Sequence, residues 1–292
     1  MQFKGTGVAL VTPFMKDGSV DEKALRKLVN FQIDNGTDFL VVQGTTGETA
    51  TLNTEEKKRV LDIVIEENNG KLPIVLGMAD NNTAALIEEI KAFKNEGVDG
   101  FLSASPHYSK PSQRGIIAHF KAIVEVSKLP IILYNVPGRT ASNMTAETTL
   151  ELSKIKNIVG IKEASGNLEQ VMQILKNAPE GFAVLSGEDA LTMPIISMGG
   201  HGVISVVANA LPKQFSTMIN ATLAGNLVTA RKHHFDVLDI TDSFFAEGNP
   251  SGIKYCLELV GICNGTVRLP LTTISDQLKR KMENQLNEIK AS

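Results

Sequence analysis

Eight short apolar runs alternate with amphipathic helical windows along this 292-residue chain, and that alternation limits the fold more than any other feature. The runs are Val8–Val11, Phe39–Val42, Ile74–Leu76, Gly100–Leu102, Ile131–Leu133, Ile158–Ile161, Ala183–Leu185 and Gly202–Val206, and each reads as a buried strand. Between them lie windows such as Asp21–Asn35, where Leu25, Leu28, Val29 and Ile33 form one stripe. Ser112–Ser127 is striped in the same way by Ile116, Phe120, Ile123 and Val124. Asn53 followed by Glu56 gives the second helix a capping-box start. Eight strands at spacings of about 20–35 residues, each followed by a helix, predict an α/β fold, a (β/α)8 TIM barrel. The competing doubly wound sheet lacks its dinucleotide fingerprint. Gly5-Thr6-Gly7 precedes the first predicted strand, and Leu10 stands where the third glycine belongs.

The barrel is complete by about Ala224, and residues 225–292 read as a C-terminal extension of three helices with no strand signal. The expected division is therefore a catalytic barrel over 1–224 and a helical extension over 225–292, with a further break at Gly248-Asn249-Pro250. Ala190 to Pro212 carries no Asp, Glu, Lys or Arg, but Pro194, the Gly199-Gly200-His201-Gly202 cluster and Asn209 interrupt it. It reads as a buried helix, a turn and a buried strand rather than a bilayer span. The segment MQFKGTGVALVTPF has no secretory-signal pattern, and the formal net charge of −3 offers no basic footprint for nucleic acid or an anionic membrane. A cytoplasmic protein with neither kind of partner is expected. Cys256 and Cys263 stand seven apart in what reads as one helix, about 10 Å along its axis and too far for a disulfide. No cysteine or histidine spacing matches a metal site, so no metal is expected.

In such a barrel the chemistry belongs at the C-terminal ends of the strands. There the run Ile158-Val159-Gly160-Ile161-Lys162 ends on a lysine. By strand alternation Ile158, Gly160 and Lys162 share one face, with Gly160 leaving room beside the lysine stem. An amine held away from water is a usable nucleophile for Schiff-base chemistry, although a lysine at a strand end also snorkels readily to solvent. Tyr134 shares a face with Ile132 and should point into the barrel, within reach of an amine on the next strand. It is either an acid–base group or a hydrogen-bonded core tyrosine. Gly44-Thr45-Thr46-Gly47-Glu48 can make a tight turn whose N–H groups and hydroxyls hold a carboxylate, and an ordinary βα turn fits the same letters. Arg139, after a Pro-Gly pair, is a carboxylate clamp or a solvated loop residue. Glu188 and Asp189 fall where such barrels grip phosphate, which argues against a phosphorylated substrate.

GTTGE, SPHYSKPSQ, YNVPGRT, GIKEASGN and GGHGVISV, in this order and spacing, resemble the pyruvate-dependent class I aldolase and lyase family. The likeness begins at Phe3 and reaches into the tail at NPSGIKYCLELVG and RLPLT. Arginine in YNVPGRT points to the branch that condenses pyruvate with L-aspartate 4-semialdehyde, an early step of lysine and diaminopimelate biosynthesis. The resemblance implies that Lys162 forms the imine, and that Tyr134, Thr46 and Tyr108 form a proton relay. It gives Tyr108 to the site of an adjoining subunit. Thr45 and Ile204, with Gly187 nearby, would hold pyruvate, and Arg139 would receive the semialdehyde carboxylate. The family uses no organic cofactor and usually assembles as a homotetramer, a dimer of dimers. Sugar-acid aldolases and sialic-acid lyases share the lysine and tyrosine and are the alternative within the family. A non-catalytic keto-acid sensor is the alternative outside it. Inhibited members bind lysine in an interface cleft at positions matching Thr49, Ala50, Thr54, Lys57, Asn81, Ala85 and His107. Here Ala85 replaces a carboxylate and Lys57 brings a fixed positive charge, so weak or absent lysine inhibition is expected.

Overall fold

Eight parallel strands close on themselves in chain order: β1 (Gly5–Ala9), β2 (Phe39–Val42), β3 (Ile74–Gly77), β4 (Gly100–Ala104), β5 (Ile131–Asn135), β6 (Ile158–Glu163), β7 (Ala183–Ser186) and β8 (Gly202–Ser205). The computed structural model describes residues 2–94 and 97–291. The β1–β8 pair closes the barrel with Gly5 opposite Gly202 and Gly7 opposite Ile204. Gly5-Thr6-Gly7 therefore lies inside the first strand and not before it, which corrects the sequence reading. The glycines are there for close approach: a Cβ on Gly7 would fall 2.2 Å from the Phe39 ring, and one on Gly202 would fall 2.1 Å from Gly5 O.

Strands five and six run two residues beyond their apolar stretches. Polar residues stay in the ladder there, with Tyr134 beside Lys162 and Asn135 beside Glu163. A register shift between Ile131 and Ile132 pairs Ile131 with Ile158 but Ile132 with Gly160. Ile158 consequently packs in the outer core with Ile131 and Ile161, while Val159 touches the inner one. The expectation that Ile158 shares a face with Lys162 fails because a bulge, invisible to strict alternation, lies between them. Gly160 also has a different reason from the one expected. A Cβ there would meet Ala183 O at 2.7 Å, so it admits the neighbouring strand rather than the lysine stem.

Two cores result. Phe39, Val41, Val75, Leu102, Ile132 and Leu185 fill the barrel, and a larger layer lies between strands and helices. The first helix, Glu22–Asp34, starts on the Asp21 side chain and buries Leu25, Leu28 and Val29. Helix Thr54–Asn68 has the full capping box: Asn53 Oδ1 accepts from Glu56 N–H (2.9 Å), and Glu56 accepts from Asn53 N–H (3.0 Å). The charge-free stretch forms helix Thr192–Ser197 and then β8, and among the described residues no helix is long and apolar enough to cross a membrane.

Helices Leu227–Phe245, Ser251–Leu259 and Asp276–Ala291 follow the barrel. The second ends before Cys263, so the two cysteines do not share a helix as expected. Both are free, and burial pushes both thiols up to about 12.

Candidate active site

A cavity of about 910 Å³ opens among the loops at the C-terminal ends of the strands. Lys162, Tyr134, Thr45, Thr46, Gly187 and Arg139 all line it. Lys162 projects inward from β6, is only 6% exposed, and puts Nζ 4.4 Å from the centroid of the Tyr134 ring. Its stem lies against Gly187, where a Cβ would fall 3.1 Å from both Cγ and Cε. Gly187, not Gly160, is thus the glycine that makes room for the lysine. The next residue, Glu163, turns to the outside of the barrel and is buried there. Its carboxylate accepts from Ser165 N–H (2.7 Å), Gln170 Nε2 (2.9 Å) and Asn135 Nδ2 (3.0 Å). Those three donors fix the end of β6 and hence the point from which Lys162 departs.

The loop after β2 folds into two short 3₁₀ turns, Thr45–Gly47 and Thr49–Thr51, with Glu48 between them in the left-handed region (φ 53°). Gly44 does not supply the bend, since its φ is −73°. Gly47 instead lets the turn approach Leu10 O, which a Cβ would meet at 3.2 Å. The N–H groups of Gly47 and Glu48 close the turn by donating to Gly44 O (3.0 Å) and Thr45 O (3.1 Å). Across the cavity Arg139 sits in the one-turn helix Pro137–Thr140 that follows β5, with its side chain exposed to the opening.

After β7 the two acidic residues separate in role. Asp189 is buried and accepts from the N–H groups of Val206 (2.9 Å) and Val207 (3.3 Å) beyond β8, the donors a phosphate would otherwise use. Burial raises its pKa, against hydrogen bonds from Ser205, Val206 and Val207. Glu188 lines the cavity, and its carboxylate makes no hydrogen bond or ion pair among the described residues. Burial, then the charge of Asp189, raises its pKa, while Lys162 and Arg139 act the other way.

Two expected residues lie off the cavity wall. Ile204 is buried within β8, packed in the inner core with Tyr134 and Ala164. Tyr108 stands 87% exposed on a left-handed turn (φ 65°) and is not among the residues that line its own barrel's cavity. Sequence reasoning missed the contribution of the tail. Phe245, Asn249 and Leu271 line the cavity, and Asn249 Nδ2 donates to Thr46 Oγ1 over 2.9 Å. Lys254, fully buried on the same segment, pairs with the Glu48 carboxylate. The signal available was an unexplained lysine inside the apolar tail motif GIKYCLEL. Among the described residues no three His, Cys, Asp or Glu side chains are grouped to share a metal ion.

A closed parallel barrel with a buried lysine against a tyrosine at its C-terminal mouth is the fold and site of a lyase that works through a Schiff base. The model of the dihydrodipicolinate synthetase family matches residues 2–289, and the chain belongs to that family. It is 49% identical to a 4-hydroxy-tetrahydrodipicolinate synthase from Phocaeicola vulgatus, over 99% of this chain and 98% of that one. A dihydrodipicolinate synthase from Cyanidioschyzon merolae, solved with lysine bound, superposes with a TM-score of 0.95 at 39% identity and 100% coverage of both chains. A monomeric dihydrodipicolinate synthase variant superposes at 0.96 with 36% identity, covering 99% of this chain and 97% of its own.

Proposed function

We propose that the chain condenses pyruvate with L-aspartate 4-semialdehyde to give 4-hydroxy-tetrahydrodipicolinate. The observation that carries this is Lys162 Nζ, buried over the Tyr134 ring in a cavity that Arg139 also lines. Attack of the Lys162 amine on the pyruvate ketone and loss of water give an imine, whose positive nitrogen draws electrons from the adjacent methyl. Loss of a methyl proton gives an enamine, and its carbon adds to the aldehyde of the second substrate. The semialdehyde amine then closes the ring on the imine carbon and displaces Lys162. Tyr134 moves the protons, with Thr46 and Tyr108 of a neighbouring subunit as relay. Thr45, beside Gly187, holds pyruvate, and Ile204 backs the site from the inner core that it shares with Tyr134 and Ala164.

The second substrate is a zwitterion, so it needs two complementary charges. Arg139 takes its carboxylate. The amine sits one carbon away, on the side toward the aldehyde, and therefore falls between Arg139 and Lys162. Glu188, a carboxylate that lines the same cavity as Arg139 and Lys162, receives it in this reading. This reading assigns residues 1–224 to the catalytic barrel and 225–292 to an extension that helps close the site. It also takes the enzyme to be a cytoplasmic dimer of dimers, and the exposure of Tyr108 is in keeping with a subunit contact there.

A coupled assay with pyruvate and L-aspartate 4-semialdehyde, run beside a sugar-acid cleavage assay, tests the proposal. Turnover in the first and none in the second is expected; the reverse would place the chain with the sugar-acid aldolases. Borohydride reduction in the presence of pyruvate should add about 72 Da at Lys162, the mark of covalent amine catalysis. Labelling at another lysine would overturn the assignment of the nucleophile.

A further inference from the structure

The hydroxyl of Thr46 is engaged by a residue from outside the barrel. Asn249 lies in the turn between helices Leu227–Phe245 and Ser251–Leu259, and its Nδ2 donates to Thr46 Oγ1 across 2.9 Å. Both residues are buried, at 8% and 3% exposure, and both line the cavity that holds Lys162 and Tyr134. A hydroxyl has two lone pairs and one proton. The Asn249 amide occupies one lone pair, and the Thr46 proton has no acceptor among the described residues. Thr46 is left with one site to receive a proton and one proton to give, the minimum that a relay member requires.

The chain beyond Asn249 and the loop carrying Thr46 are joined at two further points. Lys254, on the helix that follows Asn249, pairs with the Glu48 carboxylate and lies 4.0 Å from the centroid of the Phe14 ring. The other carboxylate oxygen of Glu48 accepts from Arg268 N–H at 2.9 Å. The helix itself is seated tightly, since a Cβ on Gly252 would fall 2.5 Å from Phe244 O. The amide is thus presented to Thr46 by anchored backbone on both sides.

We propose that Asn249 is a positioning residue that sets the direction of the proton relay by holding the Thr46 hydroxyl as an acceptor. The inference rests on the reading of Thr46 as a relay member. When the imine becomes the enamine, the methyl C–H pair forms the new C=C bond and the C=N π pair settles on the Lys162 nitrogen. The methyl proton goes to the Tyr134 oxygen as Tyr134 gives its own to the free lone pair of Thr46. Thr46 passes its proton toward Tyr108 of the neighbouring subunit and from there to solvent. Asn249 keeps both amide protons throughout. With the amide absent or reversed, the Thr46 proton turns into the tail instead, and the chain of transfers stops there.

Exchange of the pyruvate methyl hydrogens in D2O, followed by NMR on the full chain without the second substrate, isolates this step. Borohydride trapping on Lys162 is the companion measurement, because imine formation precedes the relay. Asn249→Ala should keep trapping and slow exchange by about 10- to 100-fold, the range for a misdirected acid–base group. Asn249→Asp has the same shape, but its carboxylate accepts from Thr46 and turns the proton away, so its exchange should be at least as slow. A packing role predicts the opposite order, with Asn249→Asp close to wild type and Asn249→Ala worse. That order would overturn the proposal, as would loss of trapping in both variants, since Asn249 would then be holding the site together. Failure of the wild-type chain to trap pyruvate would instead strike at the proposed function, which keeps the two outcomes apart.

Discussion

Among the described residues, Nζ of Lys162 makes no hydrogen bond or ion pair, and its surroundings are a ring face, a glycine and the cavity. Attack on a ketone therefore displaces no protein partner, and what the neighbours supply is position. Arg139 and Tyr134 should separate cleanly by which step each substitution touches. Arg139→Ala should leave imine trapping with pyruvate intact and lower kcat/KM for the semialdehyde by about 30- to 1000-fold, the loss of a charge-assisted contact. Trapping that fails equally would make Arg139 structural. Tyr134→Phe should slow proton transfer with every substrate, by about 10²–10⁴-fold. Glu188 gives a pH signature. Its carboxylate must be ionised to receive an ammonium, and burial raises its pKa above the usual 4.5. Activity on the semialdehyde should accordingly fall as pH drops through that raised value, and Glu188→Gln should lose this limb along with much of kcat/KM. The linkage has the opposite sign for stability. A carboxyl raised on folding costs stability at neutral pH, so Glu188→Gln should melt no lower than wild type at pH 7. An unchanged acidic limb in Glu188→Gln would remove Glu188 from the substrate.

Elements explain which parts of this site could be read from the sequence. Lys162 and Tyr134 were legible because each directly follows an apolar run within a strand, where a polar residue is rare and the period of two gives its direction. Arg139, Thr45 and Thr46 were legible as residue types beside turn residues, and their convergence followed from the barrel alone. Ile158 was misplaced because one bulge between β5 and β6 inverts the faces on one side of it, and no residue type marks such a bulge. Asn249 and Lys254 were not legible, since helical periodicity shows that a tail is buried but not which loop it meets across about 200 residues of chain. Their contact with the loop after β2 carries the next prediction. Burial lowers the pKa of Lys254, and the Glu48 charge opposes that shift. Removing one partner leaves the other charge buried and alone, so Lys254→Met or Glu48→Gln should each cost about 3–5 kcal/mol of stability by chemical denaturation. The double variant should recover a large part, because neither charge is then stranded. Additive losses would mean the two groups act independently.

At the scale of the molecule, the cavity is wider than the catalytic residues need. Thr49, Ala50, Lys57 and His107 line it together with Asp80 and Glu89, and Asn81 Nδ2 lies 3.4 Å from His107 Nε2. Tyr108, next in sequence to His107, is exposed to solvent. If it completes the site of a neighbour, mixing inactive Tyr108→Phe with inactive Lys162→Ala protomers should restore some activity once subunits exchange. One site of a mixed dimer then receives an intact lysine from its own chain and an intact tyrosine from the other. No recovery despite demonstrated exchange would return Tyr108 to its own barrel. The family resemblance would put the lysine cleft of inhibited members in this same region, and here its charges are altered. Ala85 offers no carboxylate for the ligand's ammonium, and Lys57 places a fixed positive charge on the cavity wall. Two like charges about 6 Å apart at an effective dielectric near 20 repel by roughly 3 kcal/mol, about 100-fold in affinity. Glu88 is drawn off by Lys91, which leaves Asp80 and Glu89 as the carboxylates on this part of the wall to offset that repulsion. Titrating lysine into the coupled assay should therefore give half-inhibition above about 1 mM or none at all. Lys57→Ala should move it to lower concentration by relieving the repulsion. Inhibition well below 1 mM in the wild-type chain would show that the wall carboxylates replace the missing one and outweigh the charge of Lys57.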